Sequence, residues 1–348
     1  MHSWVDQSKL AHMTGMVIPA YFSSKPPDDM VRQLLWVTLG DAHHYLPLQN
    51  IWVVVDGDAR TAALAEQVRE RLLQEHGVSF HLLSPPENRG KLWAKKEGIT
   101  TLLDAKPSIE YIVIRDGDGD HLISDLPPLL RAADHLTRVA GDSKVILIGS
   151  RRSRHGPLGW VRGELETLLD KITLDALVHH MARKGQALDL SYSLGQVPDL
   201  SSGYKLYGRE MAQYLFVEHQ PKMMCLSPHD YWHYGPETVT IVEGVLAGAL
   251  IGEIPRSAWD RQPTTAFGEF PYVPLYGGLL AWVYARLDIP LDVAAQLYDN
   301  QVPTMLLRTT DEGRRILAAV REHALQTLKT CLNSPEPTPE SRPMLPFL

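Results

Sequence analysis

The chain of 348 residues is 44% hydrophobic and 22% charged, a composition that excludes a small disulfide-stapled scaffold and an intrinsically disordered chain. Its 34 lysines and arginines against 41 aspartates and glutamates give a net charge of −7, which argues against a general nucleic-acid binder. The two cysteines, Cys225 and Cys331, are too few for a disulfide framework or a thiolate metal site, and they favour a reducing, cytoplasmic location.

Strand-like and helix-like segments alternate along the first 150 residues. Short apolar, largely β-branched runs predict strands that are buried on both faces of a sheet, and the amphipathic stretches between them predict helices. The predicted strands are Met16–Tyr21, Ile51–Val55, Val78–Leu83, Tyr111–Ile114 and Val145–Ile148, and the predicted helices are Asp28–Leu39, Ala59–His76 and Leu92–Leu103. This alternation predicts a Rossmann-like, doubly wound and mostly parallel α/β sheet.

The second half of the chain predicts further helices and one more strand. The helical stretches are Glu164–Lys184, Thr238–Leu250, Leu275–Leu287 and Leu291–Thr330, and a short strand is expected near Ile251–Ile254. We therefore expect a leader over residues 1–13 that need not be native, an α/β domain over 14–255, a helical region over 256–332 and a proline-rich, extended or disordered tail over 333–348. No apolar run approaches the roughly 20 residues of a spanning helix, and no secretory signal is expected.

Aspartates follow two of the predicted strands. Asp56 comes directly after the second strand, whereas Asp116, Asp118 and Asp120 follow the fourth. Ligands of doubly wound sheets bind beyond the carboxyl ends of the strands, so these side chains are expected at one rim. Three close carboxylates repel one another, and a hard cation such as Mg²⁺ or Mn²⁺ would relieve that repulsion, while Gly117 would let an anion approach closely. The alternative is a solvated acidic turn.

Two basic features are expected at the same rim. Lys91 lies at the start of a predicted helix, where an ammonium and the free backbone N–H groups can bind phosphate. Leu92 in the next position excludes a Walker loop, and the alternative for the lysine is an ordinary surface position. Arg151, Arg152 and Arg154 follow the fifth strand, where guanidinium groups could receive a phosphate or carboxylate of an acceptor. The alternative for this run is a solvated loop.

Four motifs occur in the order found in GT-A glycosyltransferases. They are VIPAY at residues 17–21, VVVDGD at 53–58, G-K-x-x-A-x-x-x-G at 90–98 and D-x-D at 116–118. The chain resembles this family over residues 16–254, most strongly before residue 125, and it is most similar to the branch of dolichyl-phosphate sugar synthases and glucosyl-3-phosphoglycerate synthases. The resemblance implies a GT-A fold with a helical C-terminal appendage.

The resemblance also implies roles for individual residues. Asp118 and Asp120 would bind the cation, and Asp260 would stand in for a histidine that completes the metal site in the phosphoglycerate-type enzymes. Asp230 and Glu237 are the candidate catalytic carboxylates, and the alternative for both is a carboxylate that stabilises a helix N-terminus. The residues expected to bind the nucleotide sugar are Pro19, Ala20, Tyr21, Asp56, Lys91, Asp116 and Gly117, and those expected to bind the acceptor are Arg151, Arg152, Arg154, Ser202 and Gly203.

Together these features predict a metal-dependent glycosyltransferase that moves a sugar from a UDP- or GDP-linked donor to a small, anionic hydroxyl acceptor. The resemblance favours retention of the anomeric configuration, no nucleic-acid partner is expected, and a homodimer stays open. One alternative is a haloacid-dehalogenase-like phosphatase, in which Asp116 attacks phosphorus and Asp118 acts as the acid. Another is a catalytically inactive module that binds nucleotide sugars.

Overall fold

A seven-stranded sheet forms the centre of the protein. The computed structural model describes residues 6–23, 25–189, 192, 194, 197–259 and 271–341. The strands are β1 (Thr14–Ala20), β2 (Ile51–Val55), β3 (His81–Leu83), β4 (Tyr111–Ile114), β5 (Val145–Arg151), β6 (Lys205–Gly208) and β7 (Leu250–Arg256). They lie in the order β3-β2-β1-β4-β6-β5-β7, with β6 antiparallel to both of its neighbours and the other pairs parallel. The predicted class, a mostly parallel α/β sheet, is confirmed.

Helices cover both faces of this sheet. They are α1 (Gln7–His12), α2 (Asp28–Leu39), α3 (Ala59–His76), α4 (Lys91–Ala105), α5 (Leu126–Ala140), α6 (His155–Leu158), α7 (Trp160–Arg183), α8 (Arg209–Gln213), α9 (Pro228–Tyr234), α10 (Thr238–Leu246), α11 (Tyr272–Arg286), α12 (Leu291–Gln301) and α13 (Asp311–Leu332). Side chains alternate along each strand, so Ile112 and Ile114 of β4 join one hydrophobic cluster and Tyr111 and Val113 join the other. The first cluster includes α4, α7 and α10–α13, and the second includes α1, α2, α3 and α5.

The described ends of the chain pack against the rest of the structure. Residues 7–12, expected to precede the fold, form α1, whose Leu10 is buried in the second cluster. The described part of the proline-rich tail lies against α13, because Arg321 donates hydrogen bonds to the carbonyls of Pro339 (3.1 Å) and Glu340 (3.2 Å). Packing therefore fixes the position of both segments, which their composition alone does not indicate.

One predicted helix is two helices in the structure. The stretch expected to be continuous from Leu291 to Thr330 breaks after α12, where Pro303 lacks the N–H that a helix interior requires. Thr310 then caps α13 by accepting a hydrogen bond from the N–H of Gly313 at 3.0 Å. None of the helices in the described part of the chain combines the length and apolarity needed to cross a bilayer.

Candidate active site

The segment after β4 is a tightly held loop, which we call the acidic loop (residues 116–120). Arg115 is fully buried beneath it and donates hydrogen bonds to the carbonyls of Thr38 and of His121, the latter at 2.5 Å. The N–H of Asp116 donates to Nδ1 of His121 at 3.0 Å, which closes the loop on itself. The N–H of Asp120 donates to the Asp118 carboxylate at 3.2 Å. These contacts hold three carboxylates close together, as the sequence predicted.

The chemistry of the acidic loop suits a divalent cation. Burial, reinforced by the charges of Asp116 and Asp120, raises the pKa of Asp118 to about 7. Oδ1 of Asp116 is buried and has no hydrogen-bond partner within the described residues. Mg²⁺ commonly takes one or two carboxylates and fills the rest of its shell with water and substrate phosphates. Asp116 and Asp118 therefore fit a cation that a diphosphate helps to hold.

The other expected metal ligands are placed differently. Asp120 lies beside Arg256, the last residue of β7. The Arg256 guanidinium donates to the carbonyl of Asp120 at 3.2 Å and to the carboxylate of Asp120 at 3.4 Å. A buried guanidinium thus already neutralises part of the charge of Asp120. Asp260 lies outside the described residues. Among the described residues no group of three or more histidine, cysteine, aspartate or glutamate side chains is arranged to hold a metal.

Lys91 reaches the acidic loop from the start of α4. Gly90, the residue before it, has a φ of +103°, and a Cβ there would lie 2.5 Å from the backbone of Trp232. The Asp56 carboxylate fixes this turn by accepting the N–H groups of Arg89 (2.9 Å) and Gly90 (2.7 Å). Nζ of Lys91 consequently lies 2.9 Å from Oδ2 of Asp116. The structure therefore brings together the lysine and the aspartate that the sequence placed at one rim.

Glu237 holds Lys91 from the opposite side. Its Oε1 accepts from Nζ of Lys91 at 3.2 Å and from Nζ of Lys95, which is fully buried, at 3.0 Å. Although burial favours the neutral acid, the charges of Lys91, Lys95 and Lys205 lower the pKa of Glu237 well below its ordinary value. Burial likewise opposes the charge on Lys91, but the Asp116 and Glu237 carboxylates raise its pKa, so it is an ammonium at neutral pH. A carboxylate held by two ammonium groups is a weak base.

Glu237→Gln is expected to lower the free energy of unfolding by about 3 kcal/mol, because it removes the carboxylate that accepts a hydrogen bond from the buried side chain of Lys95. Urea unfolding of the wild type and the variant measures this change. The double variant Glu237→Gln/Lys95→Met removes both charges and should recover most of the lost stability. Equal stability of the single variant and the wild type would show that Lys95 needs no anionic partner.

A cleft lies at the carboxyl ends of the parallel strands. Its walls include Lys91, Asp116, His121, Arg151, Gly203 and Glu237. Gly203 forms the wall of the cleft near the lysine. A Cβ at this position would lie 2.9 Å from Oδ2 of Asp116 and 3.4 Å from Nζ of Lys91. Glycine at this position leaves room at the ion pair for a bulky anion.

Residues expected to bind the nucleotide and acceptor lie beside these walls. The carbonyl of Pro19 accepts the N–H of Gly117 at 3.2 Å, and that of Ala20 accepts the N–H of Asp56 at 3.3 Å. Tyr21 is half exposed. Ser202 is buried, with its hydroxyl donating to the carbonyl of Gly149 at 2.7 Å. Strand ends thus meet as predicted, and the binding roles themselves stay predictions.

Two of the three arginines at the end of β5, Arg151 and Arg154, are paired with carboxylates. Arg151 donates to Asp199 at 2.7 and 2.8 Å and to Glu166 at 2.9 Å. Arg154 contacts Asp170 at 2.8 Å and Asp199 at 3.3 Å. Arg152 is exposed. Arg151 and Arg154 are therefore held in ion pairs that the sequence alone did not indicate, and their role in acceptor binding stays a prediction.

Lys205 supports the loop that carries Ser202 and Gly203. It begins β6 with a fully buried side chain, and its Nζ donates to the carbonyls of Leu200 (2.9 Å) and Ser202. Burial lowers the pKa of Lys205 from 10.5 to about 7. The unfolded chain therefore binds a proton that the folded chain has released between these two values.

The free energy of unfolding is expected to rise between pH 7 and pH 9 by about 2 kcal/mol from Lys205 alone. The sign follows because the unfolded state, with the higher lysine pKa, loses its proton advantage as pH rises. Denaturant unfolding of the wild type and of Lys205→Met at both pH values measures this contribution. It is the difference between the two proteins in how much the free energy of unfolding changes with pH. An identical pH dependence in the two proteins would show that Lys205 is charged in the folded state.

Comparison with known proteins gives a limited likeness. No protein-family model and no curated protein matches the chain. Among solved structures, the chain is similar to the mannosyltransferase PcManGT from Pyrobaculum calidifontis in complex with GDP-Man and Mn²⁺, with 16% identity over 92% of this chain and 74% of that chain and a TM-score of 0.39. It is also similar to S. aureus TarS 1–349 in complex with UDP-GlcNAc, with 10% identity over 92% of this chain and 91% of that chain and a TM-score of 0.45. Scores below 0.5 do not establish an activity for this chain.

Proposed function

We propose that the protein is a metal-dependent glycosyltransferase that moves a sugar from a nucleoside diphosphate donor to a hydroxyl acceptor. The observation that carries the proposal is the contact of Lys91 with Asp116, which joins an ammonium to a group of carboxylates at the carboxyl edge of the sheet. This combination suits a diphosphate, since both a cation held by carboxylates and a lysine neutralise the charge on its oxygens. Neither feature alone is specific for a diphosphate.

Breaking the bond between the sugar and the diphosphate leaves new negative charge on a phosphate oxygen. A bound Mg²⁺ or Mn²⁺ would stabilise that charge as a Lewis acid, and Asp116 and Asp118 are the residues proposed to hold it. Lys91 is proposed to turn its ammonium from Asp116 toward the same diphosphate. Because Glu237 holds Lys91 from the other side, the ammonium stays beside the acidic loop when it leaves Asp116.

The acceptor hydroxyl must also lose a proton. Glu237 is proposed to position Lys91 instead of taking that proton, because its low pKa makes it a weak base. In a retaining reaction the departing diphosphate oxygen takes the proton, and this is the outcome we propose. In an inverting reaction Asp230 would be the base, and it accepts a hydrogen bond from Ser227 at 2.8 Å.

The ends of β1 and β2 are proposed to hold the nucleoside. Pro19, Ala20 and Tyr21 lie next to the acidic loop, and Tyr21 offers an exposed ring. Asp56 is proposed to act through the turn before Lys91, because its carboxylate already accepts two backbone N–H groups there. Its contribution would then be to the position of the lysine.

A thermal-shift screen with and without Mn²⁺ tests the proposal. UDP-GlcNAc and GDP-Man, the sugar nucleotides bound in the similar structures, are the first two probes. At a hundredfold excess over Kd, binding to the folded state adds about 2.7 kcal/mol and raises the melting temperature. We expect a shift that requires both nucleotide and metal. Absence of a shift with UDP-, GDP- and ADP-sugars in the presence of Mn²⁺ would overturn the proposal, and hydrolysis of p-nitrophenyl phosphate would favour the phosphatase alternative.

A further inference from the structure

A second cavity, which we call the annex, opens beside the cleft between α9, α11 and α13. Its volume is about 320 Å³. Tyr234, Leu275 and Leu279 line both the cleft and the annex, so the two spaces are adjacent. None of the residues that line the annex alone has a role in the proposed function except Asp230, the base of the inverting alternative.

The annex has an aliphatic side and a polar side. Asp230, Tyr234, His323 and Thr327 supply the polar groups. Leu226, Pro274, Leu275 and Leu279 supply aliphatic surface. Gly278 leaves the space open, since a Cβ there would meet only Leu226, at 3.4 Å. Such a pocket binds an apolar group by removing its surface from water, while a few polar groups at its edge set the orientation.

The charges that line the annex do not favour an anion. The described lining of the annex contains no lysine or arginine, and its titratable side chains include Asp230 and His323. On the other side of the cleft, Arg151 is already bound to Asp199 and Glu166. An anionic acceptor bound at Arg151 would therefore have to displace a carboxylate from this buried guanidinium, whereas an uncharged acceptor would not.

We propose that the annex holds an apolar substituent of the acceptor, whose hydroxyl then lies in the cleft. The inference rests on the proposed function and specifies its acceptor: an uncharged hydroxyl compound that carries an alkyl or aryl group, in place of the small anion that the sequence indicated. Tyr234, which lines both spaces, lies where the apolar part and the hydroxyl part of such a molecule meet.

Direct binding of model acceptors tests the inference without any donor. The probes are octyl β-D-glucoside below its micelle concentration, methyl β-D-glucoside and glucose 6-phosphate, followed by saturation-transfer NMR and calorimetry. The octyl compound is expected to bind at least about tenfold more tightly than the methyl compound, an effect equivalent to fewer than two buried methylene groups. Equal affinity of the two glucosides, or tighter binding of glucose 6-phosphate, would overturn the inference.

Two variants fill the annex from different helices. Gly278→Leu on α11 and Thr327→Phe on α13 each place a larger side chain in the cavity, and each is expected to abolish the octyl preference. Ala105→Leu, an exposed small-to-large change at the end of α4, is the matched control and should keep it. Survival of the octyl preference in a folded filling variant would contradict the assignment. The nucleotide-dependent thermal shift of the wild type is measured separately, so failure of the donor proposal and failure of the acceptor inference give different results.

Discussion

Lys91→Met is expected to lower kcat/KM for the sugar nucleotide by about 10²–10³-fold, the effect of removing one preorganised group that stabilises charge in a transition state. The lysine is placed for this role before any ligand binds, because Asp116 at 2.9 Å and Glu237 at 3.2 Å hold its ammonium at the mouth of the acidic loop. Methionine keeps most of the aliphatic stem and removes only the charge and its hydrogen bonds.

Steady-state release of the nucleoside diphosphate measures this effect. Lys96→Met is the matched control. Lys96 lies on the same helix but lines a different cavity, so this variant should keep wild-type kinetics. Thermal melts establish that both variants fold. A Lys91→Met protein that folds and turns over at the wild-type rate would remove the lysine from the proposed mechanism.

Asp118→Asn is expected to weaken Mn²⁺ binding strongly. Loss of a residue that only supports a metal ligand lowers metal affinity by about 10–100-fold, and loss of the ligand itself should cost more. The same change should leave the metal-free protein at least as stable as the wild type. The reason is that burial and the neighbouring carboxylates raise the pKa of Asp118 to about 7, so its charge is unfavourable in the empty loop. An asparagine removes that charge at nearly constant size.

Electron paramagnetic resonance of free Mn²⁺ and thermal melts without metal separate these two effects. Asp104→Asn, an exposed change near the end of α4, is the control for general electrostatics. Loss of stability in the metal-free Asp118→Asn protein would assign the carboxylate a structural role. Unchanged Mn²⁺ affinity would place the cation elsewhere.

Much of the site could be predicted because strand ends obey a simple geometric rule. β2 and β4 have the bounds expected from their apolar runs, and residues that follow parallel strands meet at one edge. Applied to β7, the same rule would also have placed Arg256, the last residue of that strand, at this edge. Lys95 lies four residues after Lys91, so helical spacing could have placed both lysines on one face.

Other features depend on contacts that no local pattern encodes. β6 has four residues and begins with a lysine, so it lacks the apolar run that marks the other strands. Arg151 looked like a free cation in the sequence, because its partners Glu166 and Asp199 are 15 and 48 residues away along the chain. The annex likewise requires α9, α11 and α13 to come together, and only the packed structure shows that they do.

A crystal grown with Mn²⁺ and the nucleotide sugar that gives the largest thermal shift tests the central claim most directly. The account predicts an anomalous-scattering peak for manganese in contact with the Asp118 carboxylate and a diphosphate oxygen within hydrogen-bonding distance of Nζ of Lys91. A nucleotide bound elsewhere, or a diphosphate that leaves Lys91 on Asp116 and the acidic loop without a cation, would contradict it.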